Sequence, residues 1–130
     1  MRRLHLAMGI VALVAFAASG MMMRTHTPPL SRLGDDVRLM YRSRHIYLLC
    51  SGIANVLLGL YFVPCRAGWR RRTQTAGSLL FLVAPILLGM AFLAETGHGL
   101  DHAWRSHFGL YAMLGGILLH FVAAVRREDA

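Results

Sequence analysis

The sequence predicts an all-α integral membrane protein, a four-transmembrane-helix bundle with a short interfacial helix in its first loop. Three observations carry this reading. Of the 130 residues 56% are hydrophobic and 15% charged, against about a quarter charged in an ordinary soluble domain. The apolar residues gather in four long blocks, none of which contains Asp, Glu, Lys or Arg. The basic residues, all arginine, fall in the gaps between blocks. A single domain of this size has too little interior to hide such blocks, so lipid is the solvent that fits them.

The first block, Leu4 to Met23, follows Arg2 and Arg3 directly. Its length matches the roughly 20 residues that a helix needs to cross a bilayer. Ala15-Phe16-Ala17 also has the small-residue pattern of a signal-peptide cleavage site, which would remove residues 1–17 and leave three spans. The apolar run continues past that site through Met21, Met22 and Met23, which favours a retained span. The second block, 46–63, is closed by Pro64. The third, 76–94, holds Pro85, which removes one backbone donor and is expected to kink the helix. The fourth, 108–125, ends at Arg126 and Arg127. Barrel strands would be about 10 residues long and alternating, and these blocks are neither.

Orientation follows from the arginines. With the N-terminus in the cytoplasm, the inside segments hold Arg2, Arg3, Arg66, Arg70, Arg71, Arg72, Arg126 and Arg127. The outside segments hold Arg24, Arg32, Arg38, Arg42, Arg44 and Arg105. Density separates them further, since the short loop CRAGWRRRTQT packs four arginines between two spans. Both termini are therefore expected in the cytoplasm. In the long first loop Leu30, Leu33, Val37, Met40 and Tyr41 recur at three- and four-residue spacing, with Arg32, Asp35, Asp36 and Arg38 elsewhere on the wheel. This pattern predicts a surface helix over 30–41 after the Pro28-Pro29 break.

Seven histidines are the chemically suggestive feature. His98 and His102 have the i, i+4 spacing of a two-imidazole metal site, with Glu95 and Asp101 as further ligands, although glycines on both sides of His98 favour a loop. A b-type haem needs histidines facing each other from two helices. His45 and His107 stand at the outer starts of the second and fourth spans, with loosely similar flanks, RSRHIYLL and WRSHFGLY, that would also suit a duplicated hairpin. His107 and His120 point about 220° apart on the wheel, which disfavours a second haem along the same helix. His120 shares a face with Gly109, Met113 and Gly116, so it is expected in the bundle, as a helix-packing group or a proton relay. Asn55, on a stripe with Ser51 and Gly59, is the other polar residue at mid-span and is expected to hold helices together.

The two cysteines, Cys50 and Cys65, lack CxxC spacing. No phosphate-binding Gly loop, catalytic triad order or HExxH is present, and no basic patch is interleaved with stacking aromatics. Enzyme and nucleic-acid readings therefore fall away. At RSRHIYLLCSGIANVLLGLYF, residues 42–62, and at the LLH of the last span, the chain resembles small uncharacterised four-span inner-membrane proteins of Proteobacteria. The resemblance implies a multi-pass bundle in the bacterial cytoplasmic membrane and brings no activity. The chain, 1–130, reads as one membrane domain. The leading expectation is a non-enzymatic accessory, assembly or interaction subunit without a cofactor, whose partners are the lipid bilayer and another membrane protein or a second copy. Haem or a transition metal held by the outer histidines is the alternative, and a small transporter the third reading.

Overall fold

A computed structural model describes residues 1–66, 68–96 and 103–125. These residues are all-helical: α1 (Arg2–Arg24), α2 (Asp35–Tyr61), α3 (Gly68–Glu95) and α4 (Trp104–Val125), with a single 3-10 turn at Leu30–Arg32. Each of the four is long and apolar enough to cross a membrane. Local chemistry sets their ends. Helix α1 closes at Thr25, whose hydroxyl and amide both donate to the Met21 carbonyl. Asp35 and Asp36 open α2, where carboxylates favour the positive end of the helix dipole. Pro64 disfavours helix in the residues before it, and α2 stops at Tyr61.

The segment 30–41 differs from expectation. It is not a separate surface helix: after the 3-10 turn, α2 runs unbroken for 27 residues from Asp35. No proline lies between Asp35 and Val63 to interrupt it. Met40 and Arg44 are buried in the bundle, so packing recruits this stretch into the span. At 1.5 Å per residue α2 reaches about 40 Å, beyond the thickness of hydrocarbon alone.

Consecutive helices run antiparallel and form two hairpins, α1 with α2 and α3 with α4. One end of the bundle, the proximal end, carries the start of α1. The distal end carries the start of α2. Glycine allows the closest approaches. A Cβ on Gly9 would lie 2.7 Å from the Val56 amide nitrogen and 3.0 Å from the Gly52 carbonyl. One on Gly77 would lie 3.1 Å from the Gly116 carbonyl. Each hairpin is also fastened by an arginine at its proximal end. Arg2 donates to the Gly59 and Leu60 carbonyls at 3.3 and 2.8 Å, and Arg70 donates to the Ala123 carbonyl at 3.0 and 2.7 Å. These lone pairs are among those a helix leaves unsatisfied at its C-terminus.

The two hairpins thus repeat one design, with Gly52 corresponding to Gly116 and Gly59 to Ala123. In this register Gly109, not His107, takes the place of His45. Between the hairpins α2 packs on α3. There Leu48, Leu88 and Phe92 form the core cluster, with Phe16, Tyr41 and Met113 against it. The outside is apolar along its length, with Val14, Leu57, Leu93 and Tyr111 among the exposed residues, an extent that soluble monomers rarely show.

Candidate functional site: polar groups between the helices

Pro85 has no amide hydrogen, so the Phe81 carbonyl, four residues earlier, lacks its intrahelical donor. Asn55 of α2 replaces it, its Nδ2 donating to Phe81 O at 2.9 Å and to Ser51 O at 2.9 Å. Two carbonyl partners fix the orientation of the amide, since a carbonyl can only accept. Asn55 Oδ1 is therefore the atom facing His5 Nδ1, at 2.8 Å, and His5 Nδ1 carries the proton. In neutral imidazole this leaves Nε2 as a lone pair. His5 is 0% exposed, and its Nε2 has no hydrogen-bond partner among the described residues. Phe62 lies near both rings, its centroid 6.1 Å from that of His5 and 5.9 Å from that of His120. His120 Nε2 approaches Ser78 Oγ at 3.3 Å, and the absence of a side chain at Gly77 makes room for its ring.

The distal end is organised by Glu95, the last residue of α3 and 0% exposed. Its Oε1 accepts the Arg105 amide at 2.6 Å. Its Oε2 accepts the Ser106 hydroxyl at 2.6 Å, the Ser106 amide at 3.3 Å and Arg44 Nη2 at 3.1 Å. One carboxylate thus caps the N-terminus of α4 and pairs with a guanidinium from α2. Arg44 is 3% exposed, and its Nη1 donates to Met40 O at 3.3 Å. The sequence counts Arg44 among the outside loop arginines, yet it meets Glu95 instead of headgroups. Without it the arginine asymmetry between the two ends is larger.

His45 lies on the seam between α1 and α2. Ser19 gives its only hydrogen to Phe16 O, so its oxygen accepts from His45 Nδ1 at 2.8 Å, and the His45 ring stacks on Phe16 at 4.1 Å. His107 is exposed on α4, its ring 6.4 Å from Tyr111. The structure therefore does not bring His45 and His107 face to face as a haem would require. His98 and His102, with Asp101, lie outside the described residues. Among the described residues no three His, Cys, Asp or Glu side chains converge as a metal site would need. Asn55 and His120 both turn inward, to α3 partners.

Sequence reasoning missed His5, Arg44 and Glu95 as interior groups. A signal for Arg44 existed: the stripe Gly59, Asn55, Ser51, continued backward at three- and four-residue steps, reaches Leu48, Arg44 and Met40, and all six are buried. For Glu95 no such signal precedes knowledge of which helix start it meets. No family model, curated protein or solved structure matches the chain.

Proposed function

We propose that the protein is a multi-pass protein of the bacterial cytoplasmic membrane, with both termini cytoplasmic, that acts as a non-enzymatic accessory, assembly or interaction subunit. The observation that carries the reading is the use made of the buried polar side chains. Asn55, Arg44, Glu95, Ser19, Ser78 and Ser106 each bond to another helix. Side chains spent on joining helices make a stable scaffold and leave little to line a substrate path. The apolar exterior supports a lipid bilayer as the surrounding solvent and a membrane protein or second copy as the partner. The arginines of the proximal end support its cytoplasmic placement, and the resemblance to four-span inner-membrane proteins points the same way.

The test is photocrosslinking in cells from Val14, Leu57, Leu93 and Tyr111, one exposed position on each helix. A discrete protein adduct from one or two of these positions, and none from buried Ser78, is expected. Adducts to lipid alone at all four would overturn the proposal. So would a Soret band lost in His45→Ala or His107→Ala, which would establish the haem reading. Solute flux in proteoliposomes that depends on Asn55 or His120 would establish transport instead.

A further inference from the structure

The imidazole of His45 is held in one orientation and leaves one atom unused. Its Nδ1–H is spent on Ser19 Oγ at 2.8 Å and one face of the ring on Phe16, so in the neutral ring Nε2 carries a lone pair. That lone pair has no hydrogen-bond partner among the described residues. His45 is half-buried, and its Nε2, unlike that of His5, is not sealed from outside.

Gly20 makes the opening. A Cβ built there would lie 3.1 Å from His45 Cε1 and 3.7 Å from Nε2, and it would meet no backbone of another helix within 4 Å. The other close glycines of the α1–α2 seam differ. At Gly9, Gly52 and Gly59 the same construction meets a backbone nitrogen of the opposite helix at 2.7, 3.2 and 2.8 Å. Helix contact explains those three glycines and not Gly20, whose missing side chain leaves a notch beside the Cε1–Nε2 edge of His45.

Depth narrows the chemistry of an occupant. Gly20 belongs to the apolar block Leu4–Met23, three residues from its distal edge, or about 4.5 Å at the helical rise. Water is scarce there. Diacyl phospholipids offer ester carbonyls at this level, which can only accept, as the lone pair does. Their ammonium and hydroxyl groups stand further out, beyond the phosphate. A donor at this depth comes from a neutral molecule dissolved in the membrane with its hydroxyl below the headgroups. Quinols and diacylglycerols have that form.

We propose that the notch at Gly20 binds such a neutral amphiphile, a quinol or a diacylglycerol, whose hydroxyl donates to His45 Nε2. Ser19 and Phe16 are positioning residues, because they fix the tautomer and the plane of the ring that receives the hydroxyl.

The reporter is the nitrogen NMR resonance of His45 Nε2, in histidine-labelled protein in phosphatidylcholine nanodiscs at fixed pH, assigned by its loss in His45→Gln. Dioctanoylglycerol, a decyl quinol and the matching quinone are titrated separately in oxygen-free buffer. The resonance is expected to move and saturate with the diacylglycerol or the quinol, and the lower midpoint of the two identifies the class. The quinone, which lacks a hydroxyl, is expected to need at least about fivefold more, the worth of one net hydrogen bond. His107, exposed on α4, should not respond. In Gly20→Ala, whose methyl fills the notch, the shift should vanish while the His45 signal and helical circular dichroism persist. No saturable shift with either hydroxyl compound, an equal response to the quinone, a drift shared by His107, or a full shift in Gly20→Ala would each overturn the proposal.

Discussion

Asn55 donates across 2.9 Å to the backbone carbonyl of Phe81, the acceptor that Pro85 strips of its own helical donor. A proline that opens one helix is thereby repaired by a side chain of the next. Buried carbonyls are expensive to leave unpaired, and in hydrocarbon no water is at hand to help.

This pairing makes the effects of the two residues interdependent. Asn55→Leu is expected to lower stability by about 1–3 kcal/mol, because Phe81 O and His5 Nδ1 both lose their partner. In a Pro85→Ala background the helix supplies its own donor to Phe81, and the same Asn55 substitution should cost less by about 1 kcal/mol. Thermal unfolding of the four proteins in one detergent gives the cycle. Strict additivity would count against the repair.

Glu95 and Arg44 form the second test. Removing one member of a buried pair leaves an uncompensated charge, and Glu95→Ala is expected to cost about 3–5 kcal/mol. Arg44→Met alone should be similarly damaging, since Glu95 then keeps only its contacts to Arg105 and Ser106. The double variant Arg44→Met/Glu95→Gln, with no charge left, should recover part of the loss. A double variant as unstable as the sum of the singles would refute the pairing.

Glycine positions separate close packing from mere helix propensity. At Gly9 an added methyl meets the Val56 backbone nitrogen, which cannot move aside, so Gly9→Ala should destabilise by about 1–3 kcal/mol. At Gly89 the nearest atom is Leu48 Cδ2 at 3.9 Å, and Gly89→Ala should be stabilising by up to about 1 kcal/mol through propensity. Melting temperatures that shift in the same direction for both would argue against the hairpin contact.

Orientation is tested at Ala130. A fused reporter that folds only in the cytoplasm should be active there, and a silent fusion with an active periplasmic reporter at the same residue would reverse the assignment.

The sequence by itself determined what depends on composition along the chain. Apolar length and the absence of charge mark out the four helices, because a span must be continuous to be lipid-soluble. The positions of Asn55, Pro85 and His120 were visible for the same reason: a polar or helix-breaking residue stands out against an apolar run. The stripe through Ser51, Asn55 and Gly59 also told which face of α2 turns inward.

Only the tertiary structure decided which groups meet. Arg44 looked like a loop arginine because interhelical pairing with Glu95 has no sequence period, and that pairing, with the burial of Met40, drew the expected surface helix into α2. His45 and His107 looked like partners because their flanks are alike. The hairpin register instead follows close contacts at Gly52, Gly116 and the two arginine caps, which place His45 against Ser19 and leave His107 outside. The repair of Pro85 by Asn55 has the same character. Each residue is legible alone, but a hydrogen bond between helices depends on their rotation and depth, and these are set by packing that no linear pattern encodes.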